Sequence, residues 1–250
     1  MAENDHPNRE SRRFAIRLPR PLCVGLAILF VLAVGAVGLR TRATADEQAD
    51  EIERLIDALA STNKAPKQRG QDGGLGLDYP PEYDKNAEVV VKHAGDKLIA
   101  HGATAFPALF EHLDDRRFSH VDEGANGFAT AAVGAACGSI IACQLEIYEK
   151  INIYPGAFPS YYRYVVHKDE KPDEWCKSHT EMSLYEMQTE AVEWAISEQK
   201  EISHVGKYRG EKVDTKKLAE IIARNERTLE RLRETRKPIV AKRAFPTRLK

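Results

Sequence analysis

The sequence predicts a mainly α protein, in which an N-terminal transmembrane or signal helix precedes an irregular stack of helix pairs. Three observations lead to this fold class. Residues 21–39 are apolar and uncharged, residues 52–59 and 106–113 carry apolar side chains at helical spacing, and a glycine and a proline separate two consecutive helical patterns near residue 105. Apolar residues at i, i+3, i+4 and i+7 indicate a helix with one buried face.

The first predicted element is the 19-residue run from Pro21 to Leu39, which has no charged side chain. This run is long enough to cross a bilayer core of about 30 Å as a helix. Arginines precede it and acidic residues soon follow it. By the positive-inside rule, residues 1–20 are a basic cytoplasmic segment and the chain after residue 39 lies outside the cytoplasm. We therefore expect a single-pass membrane protein whose C-terminal part is periplasmic or extracellular.

A cleaved signal peptide would have the same topology. The sequence Ala43-Thr44-Ala45 has the small-x-small form of a signal peptidase site, and cleavage after Ala45 would give a secreted protein. However, the apolar run is longer than the usual core of a signal peptide, which has about 7–15 residues. Arg40 and Arg42 also stand beside the site. We expect an uncleaved signal anchor, with secretion as the alternative.

The predicted exported helical domain, residues 46–235, is acidic, and the predicted tail, residues 236–250, is basic. Residues 46–232 hold 23 basic and 34 acidic side chains, whereas residues 233–250 hold seven basic and one acidic. Broad contact with a phosphate backbone needs clustered lysine and arginine, so no nucleic-acid partner is expected. The chain also lacks a P-loop, a dinucleotide fingerprint, a G-x-S-x-G turn and a complete zinc-ligand set, so we expect no cofactor and no metal.

Within this domain, the segment at 46–61 is a predicted helix, and the glycine- and proline-rich segment at 61–84 is a predicted long loop. A second helix is expected to end at Gly102. The next helix is expected to begin with Thr104 as its N-cap and Pro107 in its first turn, where a proline is tolerated. Residues 88–114 are therefore predicted to form an antiparallel helix pair.

This helix pair resembles a unit of the HEAT and armadillo helical repeats. The segment LIAHGATAFPALFEHLDD matches their pattern at Leu98, Gly102, Ala105, Pro107, Leu109, Leu113 and Asp114. The resemblance covers about residues 50–147 and implies stacked helix pairs, made irregular here by the long first loop and by an insertion at 116–127. The segments VGAACGSIIACQLEIY (133–148) and SLYEMQTEAVEWAI (183–196) also resemble exported bacterial proteins of helical-repeat type, a resemblance that implies no activity.

The apolar segment at 127–148 is predicted to be a buried central helix, with a second membrane span as the alternative. Its uncharged part is rich in alanine and glycine, whereas membrane spans favour leucine, isoleucine and phenylalanine. Gly134 and Gly138 form a small-xxx-small pair, which would let a neighbouring helix approach closely.

The predicted loop at 152–182 is rich in aromatic residues. Prolines and a glycine between residues 155 and 159 prevent a continuous helix, and residues 161–166 suit a short strand or an extended segment. Exposed aromatic side chains are typical of binding surfaces, although they could instead pack over the central helix. The candidate binding residues are Tyr154, Tyr161, Tyr162, Tyr164 and Trp175.

Two further helices are expected near the C-terminus. Ser183 and Glu186 have the spacing of a capping box at the start of the first helix. The second, at 214–237, is amphipathic, and the tail after Pro238 is expected to be unpaired.

The cysteines allow one disulfide hypothesis. Cys137 and Cys143 would lie about 9 Å apart along a helix axis, which is too far for a disulfide between them. Cys176 could pair with Cys137 or Cys143, and buried free thiols are the alternative.

These observations favour a binding or scaffold protein whose partner is an unknown protein or an envelope component, with the membrane contacted through residues 21–39. Stacked helices would provide the surface, and the aromatic segment would provide the contact region. The alternative is an exported hydrolase or metal-dependent enzyme that uses Cys176, His179 and Glu181, which lie close together in sequence. A purely structural envelope protein is the third hypothesis.

Overall fold

The computed structural model describes residues 46–68, 76–124, 127–150, 152–153, 156–157, 160–167, 172–208 and 210–240. The chain divides into two compact units, residues 1–49 and residues 50–250, and of the first unit the structure describes residues 46–49, which are helical. The predicted membrane segment 21–39 and the Ala45 site therefore lie outside the described residues.

Helices dominate the described part of the chain, as predicted, and its strands form small antiparallel pairs. The helices are α1 (46–57), α2 (Lys85–His101), α3 (Phe106–Glu111), α4 (Val133–Leu145), α5 (Tyr161–His167), α6 (Pro172–Ser178), α7 (Leu184–Val205) and α8 (Thr215–Thr235). The strand pairs are β1 (Lys67–Gln68) with β2 (Leu77–Asp78), β3 (Phe118–Gly124) with β4 (Gly127–Ala132), β5 (Asn152–Ile153) with β6 (Gly156–Ala157), and β7 (Lys207–Tyr208) with β8 (Glu211–Lys212).

Gly102 and Pro107 shape the connection between α2 and α3, as predicted. Gly102 has a φ of 64°, a backbone conformation that favours glycine, and it starts a 3₁₀ turn at Gly102–Ala105. Pro107 lies in the first turn of α3, where no intrahelical N–H is lost. The prediction of Thr104 as N-cap is wrong, because the turn keeps a helical backbone and the Thr104 hydroxyl donates to the His101 carbonyl at 2.7 Å.

The helix predicted over 127–148 is wrong in its first part, because Gly127–Ala132 forms strand β4. This strand pairs with β3 in the predicted insertion, with Val121 opposite Thr130 and Gly124 opposite Gly127. Alanine and glycine give a segment little periodicity of its own, so the pairing with β3, which satisfies its backbone hydrogen bonds, decides its conformation.

Helix α4 lies at the centre of the described fold, which confirms the predicted buried helix in its shorter form. Its side chains are apolar on almost every side, and it packs against α2, α3, α5 and α7. Gly134 lies against the backbone carbonyl of Leu113, at a distance that leaves no room for a Cβ. None of the helices in the described residues is both long enough and apolar enough for a membrane span.

The prediction of a strand or extended segment at 161–166 is also wrong, because these residues form α5. Side chains accept hydrogen bonds from the first N–H groups of α5. These bonds stabilise the start of a helix that the β-branched and aromatic residues of this segment do not favour by themselves. Tyr161 N donates to the Tyr148 hydroxyl at 2.8 Å, and Tyr162 N donates to a Glu146 carboxylate oxygen at 3.1 Å. The predicted loop at 152–182 thus contains both α5 and α6.

Helices α7 and α8 pack along each other and form the most extensive helix pair in the described residues. The predicted capping box is confirmed, since Ser183 N donates to Glu186 at 2.7 Å and the reciprocal bond is present. The predicted unpaired tail is wrong at Ile239. Ile239 N donates to the side chain of Gln188 at 2.8 Å, and the same side chain donates back to the Ile239 carbonyl at 3.0 Å.

Candidate functional site: a cavity between α4 and α5

A cavity of about 350 Å³ lies between α4 and α5, and we call it the α4–α5 cavity. One of its walls consists of the small residues Ala135, Gly138 and Ala142 of α4. Ligand pockets in proteins have volumes of about 300–1,000 Å³, so this cavity has room for a small ligand.

The absence of a side chain at Gly138 determines how closely α5 approaches this wall. A Cβ on Gly138 would overlap the Tyr162 hydroxyl oxygen and would lie 3.0 Å from Tyr162 Cζ. The phenol ring of Tyr162 is therefore placed against α4, with its hydroxyl at the cavity. Burial raises the pKa of Tyr162, so the hydroxyl is protonated at neutral pH and can donate a hydrogen bond.

Three polar groups at the cavity have no partner in the part of the chain that the structure describes. Among the described residues, no hydrogen bond or ion pair involves the Arg163 guanidinium, the Tyr162 hydroxyl or the Ser139 hydroxyl. The guanidinium has only donors, and the two hydroxyls each have one donor hydrogen. The cavity therefore presents several free donors and a positive charge to anything that enters it.

The other polar groups of the cavity are already engaged. Lys150 forms an ion pair with Glu146, and Ser160 donates its hydroxyl to the same carboxylate. The Glu146 side chain is only 7% exposed, whereas that of Lys150 is 34% exposed, so the ion pair joins a buried carboxylate to a half-buried ammonium group. With Lys150 and Arg163 positive and Glu146 negative, the cavity and its ion pair have a net charge of +1.

Buried amides of α7 and α8 fix the backbone next to Lys150. The Asn225 side chain accepts from Glu149 N at 2.8 Å and donates to the Glu149 carbonyl at 3.1 Å. It also donates to the Gln199 side chain at 2.9 Å, and Gln199 donates to the Glu149 carbonyl at 3.0 Å. Both amide side chains belong to residues with no exposed surface. Residue 149 is thus held by two helices, and the position of Lys150 depends on them.

The predicted aromatic binding residues lie in different environments. Tyr161 and Trp175 are 1% and 3% exposed and belong to the core, and Tyr162 lies at the α4–α5 cavity. Tyr164 is 38% exposed and lies beside Trp194, with ring centroids 5.3 Å apart. Tyr154 lies outside the described residues. Two of these side chains thus pack inside the domain, and one lies at the cavity.

His179 belongs to a network that differs from the predicted grouping with Cys176 and Glu181. Its Nδ1 lies 2.8 Å from the Trp175 carbonyl, and its Nε2 lies 2.9 Å from Glu190 Oε2. Glu181 is exposed. The carboxylate that contacts this histidine therefore comes from α7, eleven residues beyond it in the chain.

The three described cysteines are thiols in the structure, so the candidate disulfide between Cys176 and Cys137 or Cys143 is not formed in it. Burial raises the pKa of Cys137 to about 12 and that of Cys143 to about 11. In the part of the chain that the structure describes, no group of three or more histidine, cysteine, aspartate and glutamate side chains could hold a metal ion.

Sequence reasoning missed Arg163 and Ser139 as site residues. The spacing of Gly134 and Gly138 indicated a close approach to α4, but it did not show that α5 would be the partner. If residues 161–167 had been predicted to be a helix, Arg163 would have been expected beside Tyr162 in its first turn. Because they were predicted to be extended, Arg163 was not considered as a site residue.

No family model, no curated protein and no solved structure matches this chain.

Proposed function

We propose that this chain is an exported, membrane-anchored binding protein that holds an anionic group of a partner, a protein or an envelope component, in the α4–α5 cavity. The observation that carries this proposal is the convergence of Arg163, Tyr162 and Ser139, which have no protein partner among the described residues, on one cavity. Unpartnered donors beside a positive charge favour an anion, because each would bond to an acceptor that the protein does not supply.

The predicted anchor supports the exported location. The uncharged run 21–39 and the arginines before it favour a cytoplasmic N-terminus and an exported domain. The resemblance of residues 50–147 to HEAT and armadillo repeats favours a binding role as well, because stacked helices of that type present extended binding surfaces. Cleavage after Ala45 would release the same binding domain.

The enzyme hypothesis has less support. Both ring nitrogens of His179 already contact protein groups, the Trp175 carbonyl and Glu190, and the ring is stacked on Trp175 with centroids 4.1 Å apart. His179 is 9% exposed. Ser178 Oγ also lies 2.8 Å from His179 Nδ1, but this hydroxyl is already engaged, because it donates to the Trp175 carbonyl at 2.9 Å.

The binding proposal is tested with inorganic phosphate as the anion. The full-length protein in detergent is heated with and without phosphate, and its Tm is compared with that of Arg163→Gln and of Arg227→Gln. Ligand binding to the folded state raises Tm, but phosphate also stabilises proteins in general, so the comparison between variants is the readout. We expect Arg163→Gln to lose part of the increase and Arg227→Gln, an exposed arginine of α8, to keep it. Equal increases in all three proteins would contradict the proposal.

The exported location has its own test. Cell fractionation of the tagged full-length protein, followed by N-terminal sequencing, should find the chain in the membrane fraction with its first residues present. A soluble product that begins after Ala45 would show cleavage instead, and an uncleaved soluble product in the cytoplasm would disprove export.

A further inference from the structure

We infer that Gln188 forms a binding site for an extended peptide main chain, and that residues 237–240 of this chain occupy the site as an intramolecular ligand. None of the residues that line the α4–α5 cavity belongs to this site, so it goes beyond the proposed function.

The side chain of Gln188 binds main-chain groups. Ile239 N donates to Gln188 Oε1 at 2.8 Å, and Gln188 Nε2 donates to the Ile239 carbonyl at 3.0 Å and to the Gln144 carbonyl at 2.7 Å. These bonds use the oxygen and both N–H groups of the amide. Because Ile239 is held through its own N–H and C=O, the site recognises a peptide backbone, as a strand edge does when it binds an extended peptide.

Gln188 lies on a face of α7 that is otherwise apolar. Met187, Ala191 and Val192 around it are buried, and Gln188 itself has no exposed surface. A buried amide is unfavourable unless its hydrogen bonds are made. Without Ile239, the oxygen and one N–H of this amide would have no partner in the described part of the chain. The site therefore favours a ligand that offers an N–H and a C=O side by side.

The bound segment has the form of a peptide ligand. Arg236, with a φ of 49°, ends α8 in the left-handed region, and Pro238 keeps the residues around it out of a helix. The Ile239 side chain packs against the hydrophobic core, whereas Pro238 is exposed and Val240 is 79% exposed. One inward side chain between two outward neighbours is the pattern of an extended segment.

The covalent connection to α8 keeps this small contact closed. Two hydrogen bonds and one partly buried isoleucine side chain provide little net binding energy. However, the segment directly follows α8, and a short tether gives it an effective concentration in about the millimolar range. A separate peptide of the same sequence should therefore bind an emptied site with a dissociation constant in about this range, and it should compete poorly with the tail of the wild type.

The experiment measures the Tm of the full-length protein in detergent with and without the peptide acetyl-Lys-Pro-Ile-Val-Ala-amide, which has the sequence of residues 237–241. Ile239→Pro empties the site, because proline has no N–H to donate to Gln188. At about 10 mM, the peptide should raise the Tm of Ile239→Pro and should raise that of the wild type much less, since the wild-type site is already occupied. The same peptide with an N-methylated isoleucine should have no effect.

Hydrogen exchange at the Ile239 amide is the second measurement. In the wild type this amide should exchange at least about tenfold more slowly than in an unprotected chain. Gln188→Leu should lose the protection, whereas Gln199→Leu should keep it, because this other buried glutamine of α7 donates to the Glu149 carbonyl instead. Circular dichroism confirms that each variant is folded, and the N-methylated peptide tests the same hydrogen bond without any substitution at Gln188.

Four results would overturn the inference: no rise in the Tm of Ile239→Pro, an equal rise in the wild type, an N-methylated peptide as effective as its parent, or an unprotected Ile239 amide in the wild type. Phosphate and Arg163 take no part in these measurements, so such a result would leave the proposed function in place. A loss of the phosphate effect would likewise leave the Gln188 site in place.

Discussion

Glu190 joins two buried side chains, Tyr161 of α5 and His179, which directly follows α6. Its Oε2 lies 2.9 Å from His179 Nε2, and its Oε1 accepts a hydrogen bond of 2.5 Å from the Tyr161 hydroxyl. The other histidine nitrogen, Nδ1, lies 2.8 Å from both the carbonyl of Trp175 and the hydroxyl of Ser178. Glu190 of α7 is therefore linked to Tyr161 of α5 directly, and to Trp175 of α6 through His179.

The first prediction concerns Glu190. Glu190→Leu should lower the free energy of unfolding by about 1–3 kcal/mol, because it leaves the buried Tyr161 hydroxyl and His179 Nε2 without partners. Glu190→Gln should cost less than about 0.5 kcal/mol, because the amide can accept from Tyr161 and donate to a neutral imidazole. Urea denaturation followed by circular dichroism measures both changes.

Glu193 provides the matched control, because it lies one helical turn away in an exposed ion pair with Arg233. Glu193→Leu should change stability by less than about 0.5 kcal/mol. If Glu190→Leu were as mild as this control, the network would contribute nothing to the fold.

The second prediction compares the two glycines of α4. Gly134→Ala should destabilise the protein more than Gly138→Ala, because the new Cβ meets the backbone carbonyl of Leu113 in one case and the end of the Tyr162 side chain in the other. Crowding of this kind costs about 1–3 kcal/mol. Thermal and urea denaturation of the two variants give the comparison.

A double variant tests the Gly138 contact directly. Tyr162→Phe removes the oxygen that the new Cβ would meet, so Gly138→Ala should cost less in the Tyr162→Phe background than alone. Independent, additive effects of the two substitutions would show that Tyr162 does not lie against Gly138.

The third prediction concerns Asn225, which positions the rim of the α4–α5 cavity. Asn225→Leu should cost about 2 kcal/mol, because the Glu149 N–H and the Gln199 carbonyl oxygen lose their buried partner. Hydrogen exchange at residues 149 and 150 should become faster, since the backbone there is held by Asn225.

The neighbouring Arg224 is the control for this variant. It forms an exposed ion pair with the Glu149 carboxylate at 2.8 Å, and Arg224→Gln should change stability by less than about 0.5 kcal/mol. Unchanged exchange in Asn225→Leu would mean that the buried amides do not hold this segment.

The fourth prediction concerns thiol reactivity and its pH dependence. Burial raises the pKa of Cys143 to about 11, so at pH 8 only about 10⁻³ of this thiol is the reactive thiolate. Alkylation of Cys143 by iodoacetamide in the folded protein should therefore be slow at pH 8 and should increase about tenfold for each pH unit up to pH 10. Peptide mass spectrometry follows this reaction.

Unfolded protein in guanidinium is the reference, because its cysteines have ordinary pKa values near 8.5. Cys137, whose pKa burial raises to about 12, should react more slowly than Cys143 in the folded state. A Cys143 that reacts equally fast in folded and unfolded protein would contradict the raised pKa of this half-buried thiol. A Cys176 peptide linked to Cys137 or Cys143 under non-reducing conditions would show that the disulfide forms in solution.

The features that the sequence predicted correctly depend on neighbours in the chain. The capping box of Ser183 and Glu186 needs residues three apart, and the connection at Gly102 and Pro107 needs the backbone preferences of two residues. The nearly uniform apolar character of α4 likewise indicated a buried helix without knowledge of what covers it.

The wrong predictions concern segments whose conformation is decided by distant partners. Residues 127–132 became a strand because β3 pairs with them, and residues 161–166 became a helix because Tyr148 and Glu146 accept their first N–H groups. Intrinsic preferences of about 1 kcal/mol or less are overcome by such contacts.

By itself, the sequence determined the mainly helical class, the ends of several helices and the buried character of α4, because these follow from periodicity and local backbone chemistry. Only the tertiary structure decided that Arg163, Tyr162 and Ser139 meet at one cavity and that Glu190, rather than Glu181, contacts His179. These groups come from different helices, and the packing of one helix on another, which local patterns do not specify, sets the distances between them.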